Sequence, residues 1–382
     1  MALTLPRPEP AAGLLAYEEE LDARLRFDRR CAENWERYRT AGHRAAVVDY
    51  LPVKLDVENV SRCNFACTMC AVSTWKKRQR AADMSLAAFK ALIDEQYGLV
   101  EIKLNGIGEP LMQGDDWFAM IRYARERRIW VRVTTNASLL HLRGNYRKLI
   151  DSGVNEIDIS VDGADRETFE KIRVGSDFDR VVRNCGLLNE YAASRGRPSA
   201  KMWTLVQKAN CDFLPQHVWL AAEMGFRHLV FSLQLHGWGD AALEARNVGE
   251  AVGLPKSEAA LLIALGARKG VRVAFWDVAE KFEAVDGKRC PWPFSRAVVT
   301  SDLRTVPCCM IGNPDAFEIG RGRTFAENWA GEEFAAFRQA HLDGDVPAVC
   351  RACYRAPPAG VEPTLGRPPT PGPAGGAPTS ME

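Results

Sequence analysis

From about residue 51 onward, short runs rich in β-branched and other apolar residues alternate with longer segments of helical character. Six runs, at 53–58, 100–104, 129–134, 156–161, 202–206 and 229–233, have the length of strands, and the stretches between them can hold crossover helices. Ser85 is placed to N-cap a helix over 86–96, and Asp115 or Asp116 to cap one over 117–127. Gly153 and Gly225 sit where left-handed residues end helices. This order predicts an α/β fold built on a parallel sheet, with polar loops at the carboxyl ends of its strands, the face that carries active sites in such barrels. Ahead of it, Leu14, Tyr17, Leu21 and Leu25 fall at helical spacing and predict a helical lead-in over 1–50. The last segment, 356–382, is rich in proline and glycine without apolar periodicity and reads as a disordered tail with no catalytic part.

Three cysteines, Cys63, Cys67 and Cys70, follow the first strand at x3 and x2 spacing. Three thiolates can hold three irons of a four-iron cubane and leave the fourth iron open for chemistry. A Cys-x2-Cys pair also suits half of a zinc site or a redox dithiol, but either leaves the x3-spaced cysteine unexplained. Over Glu58-Asn59-Val60-Ser61-Arg62-Cys63-Asn64-Phe65-Ala66-Cys67-Thr68-Met69-Cys70 the chain resembles the radical S-adenosylmethionine (SAM) superfamily, with Met69 where the family often has an aromatic residue. The resemblance extends to Asn105-Gly106-Ile107-Gly108-Glu109-Pro110 after the second strand, which matches the family's Gly-Gly-Glu-Pro segment except that Ile107 replaces the first glycine. It implies that Gly108, Glu109 and Pro110 form the turn that grips the methionyl ammonium of SAM, Glu109 supplying a charge-assisted acceptor. It likewise implies that Thr135 and Asn136, ending the third strand, and Ser160 and Asp162, ending the fourth, contact the ribose and carboxylate of SAM. As residues that merely cap the following helices, Thr135, Asn136 and Ser160 would be equally ordinary.

A second cysteine set lies further on. Cys290, a strand–turn–strand over 297–308 ending in Cys308, and Cys350-Arg351-Ala352-Cys353 resemble the shortened auxiliary-cluster domain, called twitch, of the SPASM group in this superfamily. Gly312-Asn313 and a helix-like 325–339 containing Trp329 fit the same pattern, and Leu303 stands where that hairpin usually has glycine. The four thiolates Cys290, Cys308, Cys350 and Cys353 would close one auxiliary [4Fe–4S] cluster, although a four-cysteine zinc site has the same spacings. Cys309 is expected to point away from Cys308 along a strand and to be a spare. Cys31, Cys185 and Cys211 read as small apolar residues.

The fold implied is a partial (β/α)6 TIM-like barrel over 51–255, a connecting segment over 256–289 and a small α+β auxiliary domain over 290–355. At 382 residues the chain has room for these. A net charge of +1 with interspersed signs makes nucleic acid no default partner. No apolar run reaches membrane-span length and no export signal is recognisable, so eleven cysteines point to cluster ligation in a reducing cytoplasm.

The resemblance implies reductive cleavage of SAM at the open iron to methionine and a 5′-deoxyadenosyl radical, which abstracts hydrogen from substrate, with the electron coming from a flavodoxin- or ferredoxin-type donor. The auxiliary cluster then suits removal of an electron from the substrate radical. The lead-in looks too short for a leader-peptide module, which favours a sugar, cyclitol or other small polar substrate. Modification of a ribosomal peptide is the alternative, and a non-catalytic iron–sulfur carrier or zinc-stabilised binding protein a third. Gln207, Lys208, His236, Trp238 and Asp240, after the fifth and sixth strands, are candidate substrate contacts.

Overall fold

The structure, a computed structural model, describes residues 5–278, 281–282 and 289–354; the expected tail lies outside them. Two lead-in helices, α1 (Leu14–Phe27) and α2 (Arg29–Ala41), precede β1 (Lys54–Val57), and then strands and helices alternate. These are α3 (Leu86–Glu95), β2 (Glu101–Lys103), α4 (Asp115–Glu126), β3 (Trp130–Thr135), α5 (Asn145–Asp151) and β4 (Glu156–Ser160). There follow α6 (Arg166–Ile172), α7 (Phe178–Ser194), β5 (Lys201–Leu205), α8 (Leu214–Glu223) and β6 (His228–Ser232). The chain continues through α9 (Ala241–Glu250), α10 (Lys256–Lys269), β7 (Arg272–Trp276), β8 (Arg296–Val299), β9 (Thr305–Val306), α11 (Phe325–Ala330) and α12 (Glu332–Asp343). Each of the six anticipated strands is present within a residue or two.

The strands form one sheet in the order β7-β6-β5-β4-β3-β2-β1-β8-β9, parallel except for the β8–β9 hairpin. Two expectations change here. The supposed connector supplies α10 and β7, a seventh parallel strand paired with β6 from His228↔Arg272 to Ser232↔Trp276. The hairpin of the auxiliary region extends the barrel's own sheet, because β8 pairs parallel with β1 from Lys54↔Arg296 to Val57↔Val299. The linking loops between these edge pairings carry no periodic signal, so sequence alone left them unassigned.

Alternation along the strands explains the barrel. Leu55, Val57, Ile102, Val131, Val133, Ile157 and Ile159 enter the core under the helices, whereas the intervening charged residues pair across neighbouring strands: Lys54 with Glu101 at 2.5 Å, Arg132 with Asp158 at 3.0 Å and Lys201 with Asp158 at 3.6 Å. At the amino ends of the strands the lead-in covers the barrel. Tyr17 donates its hydroxyl to Glu101 at 3.0 Å, and Arg24, 3 % exposed, donates to the carbonyls of Tyr97, Leu99 and Arg127. The carboxyl ends are left for the site.

Local signals explain most boundaries. The Ser85 hydroxyl accepts from Ala88 N at 3.0 Å, and Gly153 and Gly225 are left-handed. Asp115 and Asp116 lie inside the first turn of α4 and do not cap it; there their charge complements the helix dipole. Leu303, 48 % exposed, takes the left-handed conformation of the missing glycine, with φ +63°. Its amide donates to Thr300 O at 2.8 Å and closes the hairpin.

That conformation costs a side-chain-bearing residue about 1–2 kcal/mol, more than the entropy glycine loses on folding. Leu303→Gly should therefore raise unfolding stability by about 0.5–1 kcal/mol, read from the denaturation midpoint. An unchanged or lower midpoint would show that the leucine side chain contributes packing there.

Candidate active site

The cysteine loop after β1 has little regular structure of its own and takes its shape from its neighbours. The loop after β2 lies flat against its stem: a Cβ on Gly106 would stand 2.2 Å from Glu58 Cγ, and one on Gly108 2.5 Å from the carbonyls of Val60 and Arg62. Both positions thus need glycine for close approach, which accounts for the Gly-Ile-Gly order. Glu109 N donates to Arg62 O at 2.9 Å. On the far side, Ala66 N and Thr68 N each donate at 2.9 Å to the carbonyls of Val174 and Ile172. Asn247 of α9 donates from Nδ2 to Met69 O at 2.9 Å and to His236 O at 2.8 Å, tying in the loop after β6.

Glu109 is 2 % exposed. Its Oε1 accepts from Leu111 N at 3.2 Å and from Thr135 Oγ1 at 2.5 Å, and its Oε2 accepts from Asn136 N at 2.7 Å. All three donors are neutral, and no ion pair among the described residues engages the carboxylate. Burial pushes its pKa up to about 7. With a single donor, Oε2 keeps an acceptor position, so an ammonium would find both a hydrogen-bond partner and an uncompensated charge. Pro110 starts the short 3-10 turn that Glu109 caps.

Thr135 and Asn136, expected to contact SAM, are engaged by the protein. Thr135 Oγ1 also accepts from Ala137 N at 3.1 Å. Asn136 Nδ2 donates to Asn64 Oδ1 at 3.1 Å and lies 3.9 Å from Cys63 Sγ, while its Oδ1 accepts from Ser138. Asp162 is also occupied: Oδ1 accepts from Leu205 N at 2.8 Å and Oδ2 pairs with Arg173 at 2.7 Å. These three side chains build the walls of the site. Ser160 is half-buried at the end of β4, with no hydrogen bond to its hydroxyl among the described residues.

Sequence reasoning missed Arg173. It bridges Asp162 and the Cys67 thiol, its NH1 3.9 Å from Cys67 Sγ. Burial works against its charge, but Asp162 and Cys67 hold its pKa above the ordinary arginine value. A lone arginine between Ile172 and Val174, at the end of a helix, was the available signal.

The thiols suit thiolate ligands. Cys63 Sγ accepts from Phe65 N at 3.4 Å, and Cys63, Cys67 and Cys70 are close enough to perturb one another. Burial pushes all three thiols up, Cys70 to about 12, with Arg173 opposing it only in part at Cys67 and Cys70. Irons would remove that penalty, so the donor set fits the cluster.

In the second set, Cys290, Cys308, Cys350 and Cys353 converge on Lys281. Burial alone lowers the lysine pKa, but the charges of Cys290, Cys308 and Cys353, with a hydrogen bond to Cys353, raise it above its ordinary value. Cys308 Sγ accepts from Met310 N at 3.3 Å, and burial pushes Cys350 to about 12. Strand alternation does not set Cys309 aside, because β9 ends at Val306 and does not reach it; the neighbouring Cys308 thiol and burial raise its pKa well above the ordinary value. Among the described residues no three Cys, His, Asp or Glu side chains close around one point as a single ion requires, so geometry adds nothing to the zinc alternative.

Of the candidate substrate contacts, Asp240 caps α9 through Leu243 N at 2.9 Å and Lys208 is exposed. His236 packs against Trp238 with centroids 4.2 Å apart, and neither ring nitrogen has a hydrogen-bond partner among the described residues. Burial, then Lys103 and Lys281, lowers its pKa to about 4. Gln207 Nε2 is likewise buried without a partner. Asn313 N reaches Trp238 O at 3.4 Å, so this loop joins the first cysteine loop to the auxiliary region.

Residues 60–195 match the radical SAM superfamily and residues 290–354 the SPASM iron–sulfur cluster-binding domain. The chain belongs to the radical SAM superfamily and carries a C-terminal SPASM domain. Those domains provide for a SAM-binding [4Fe–4S] cluster, SAM and an auxiliary iron–sulfur cluster. It is 30 % identical over 189 residues to mycofactocin maturase MftC of Mycolicibacterium smegmatis, covering 49 % of this chain and 46 % of that protein. It is 32 % identical over 141 residues to GTP 3′,8-cyclase of Aliarcobacter butzleri, covering 35 % and 41 %. The chain thus spans less than half the length of these relatives. The fold is shared with Streptococcus suis SuiB bound to precursor peptide SuiA, at TM-score 0.61, 12 % identity and coverage of 80 % and 70 %. It is shared too with anSMEcpe with bound AdoMet, at TM-score 0.55, 19 % identity and coverage of 79 % and 88 %. No described helix is long and apolar enough to cross a membrane.

The buried Glu109 carboxyl makes stability depend on pH. Its folded pKa, about 7, exceeds an ordinary glutamate value near 4.5, so the folded state binds more protons between them. Its contribution is complete below about 4.5 and lost as pH rises through about 7. In SAM-free protein, Glu109→Gln should gain up to about 3 kcal/mol on the wild type between pH 5 and 8 in denaturant titrations, whereas parallel curves would show a carboxyl ionised throughout.

Proposed function

We propose that this chain reductively cleaves SAM and directs the resulting radical onto a peptide substrate. The observation that carries the peptide reading is the 30 % identity to a mycofactocin maturase. It displaces the small polar molecule as first choice. The fold shared with SuiB, which holds a precursor peptide, is compatible with it.

Cys63, Cys67 and Cys70 would hold the first cluster, which supplies an open iron and the electron for sulfonium cleavage. Glu109, held in place by Thr135, Asn136 and Leu111, would accept from the SAM ammonium. Gly108 lets backbone reach this position, and Ser160 offers a hydroxyl from the facing strand end. Arg173, anchored by Asp162, sets positive charge against Cys67. Cys290, Cys308, Cys350 and Cys353 would hold the auxiliary cluster, and the His236–Trp238 loop spans the distance between the two sets. The lead-in covers the barrel from below through Tyr17 and Arg24, where it would shield a reactive radical from solvent.

Replacing Cys63, Cys67 and Cys70 together by Ala should abolish 5′-deoxyadenosine formation while iron at the auxiliary set remains; persistent SAM cleavage would end the assignment. Peptides encoded beside the gene should change mass on incubation with enzyme, SAM and reductant. Turnover of a sugar with every such peptide unaltered would sink the peptide reading. Glu109→Gln should weaken SAM binding by about ten- to a hundredfold, the loss of a charge-assisted hydrogen bond. An unchanged dissociation constant would leave Glu109 only a loop-shaping role.

A further inference from the structure

Helix α12 carries two buried polar side chains, Arg338 and His341, at i,i+3 spacing and therefore on one face. That face is turned to both ends of the auxiliary cysteine set. Arg338, 1 % exposed, lies against the Trp329 and Phe334 rings and donates from Nε to Pro293 O at 3.0 Å, close after Cys290. His341, 3 % exposed, meets the hydroxyl of Tyr354, the residue directly after Cys353, through Nδ1 at 2.7 Å. The same hydroxyl accepts from Cys290 N at 2.7 Å. One oxygen thus joins a helix to two cysteines that lie far apart in the chain.

The hydrogens of this junction follow from its chemistry. Cys290 N can only donate, so the hydroxyl is the acceptor there and its own proton goes to His341 Nδ1. The histidine is then neutral with its proton on Nε2, the nitrogen that is buried with no partner among the described residues. Burial, then Lys281, lowers its pKa to about 4, in keeping with a neutral ring. The oriented hydroxyl acts on the cysteine set in two ways. It engages the Cys290 amide, leaving the Cys290 thiol to the amide of Trp292, and it turns its oxygen, the negative end of its dipole, toward the cysteines and its hydrogen toward α12. Both oppose the addition of an electron to a cluster there, because hydrogen bonds to the sulfurs and positive ends of nearby dipoles raise its potential.

Resting on the proposed ligand set Cys290, Cys308, Cys350 and Cys353, we propose that His341 and Tyr354 are positioning residues of the auxiliary site, a histidine-oriented hydroxyl that clamps Cys290 to Cys353 and keeps the cluster held there at low potential. Neither side chain serves as an iron ligand, since the hydroxyl is occupied by an amide and an imidazole. Through that potential the two residues influence how readily an electron leaves the substrate radical.

The test uses the full chain with both clusters reconstituted and three variants, Tyr354→Phe, His341→Phe and His341→Asn. The first keeps the ring that packs against Phe282 at 4.7 Å and loses only the hydroxyl. The second removes the acceptor of the hydroxyl and frees its proton for a sulfur, and the third restores an acceptor near the Nδ1 position. Redox titration followed by electron paramagnetic resonance separates the two clusters, since only the first responds to SAM. Tyr354→Phe and His341→Phe should each keep the auxiliary iron and raise the ratio of reduced to oxidised auxiliary cluster at a fixed potential by about tenfold, the weight of one hydrogen bond to a charged group, with the first cluster unmoved. His341→Asn should return the ratio to that of the unaltered protein. An unchanged or lower ratio in Tyr354→Phe would overturn the proposal. So would loss of auxiliary iron from it, which leaves the hydroxyl a purely structural clamp, an equal shift at both clusters, or no recovery in His341→Asn. Cys290→Ala separates the outcomes: an auxiliary signal that survives it strikes at the ligand set, whereas a signal lost there with Tyr354→Phe silent leaves the ligand set standing and ends the inference.

Discussion

The buried carboxylate of Glu109 is the fixed point on which the site is built. It receives Leu111 from its own loop and Thr135 and Asn136 from the end of β3, while its amide donates to Arg62 in the stem of the cysteine loop. Removing a carboxylate from water without a counter-charge is unfavourable by several kcal/mol, and three neutral donors offset only part of that. The remainder is available to a cationic ligand. A group that is slightly wrong for the empty protein is thereby suited to binding an ammonium.

The cysteine loop depends on this arrangement because it has almost no internal support. It is held by Gly106 and Gly108 pressed against its stem, by the carbonyls of Ile172 and Val174 on the opposite side, and by Asn247 at Met69. Arg173 joins the same assembly through Asp162 and Cys67. The positions of its cysteines are therefore set by the elements that surround the loop.

The auxiliary region is joined to the barrel more intimately than a separate domain would be. Parallel pairing of β8 with β1 makes the hairpin before Cys308 part of the same sheet whose first strand leads into Cys63. Trp329 donates to Tyr50 O at 2.7 Å and Arg338 to Ala46 O at 3.2 Å, so α11 and α12 also grip the lead-in. Moving the hairpin that leads to Cys308 away from the strand that leads to Cys63 would break sheet hydrogen bonds.

The first six strands, the caps at Ser85, Gly153 and Gly225, and the two cysteine groups were legible in the sequence because each rests on local chemistry: alternation, a side-chain acceptor, a missing Cβ, a thiol at loop spacing. Local chemistry also marked Glu109. It did not reveal the hydrogen bonds and ion pair that Thr135, Asn136 and Asp162 make with Glu109, Asn64 and Arg173, since a polar residue at a strand end does not announce its protein partner. Nor did it place β7 and β8 at opposite flanks of one sheet, bring Lys281 among four distant cysteines, or put Cys309 against Cys308 beyond the end of a strand. Those are pairings between residues far apart in the chain. They were decided by tertiary structure, because the energy of a buried charge or a sheet edge depends on what stands opposite it, and that partner is set only when the barrel closes.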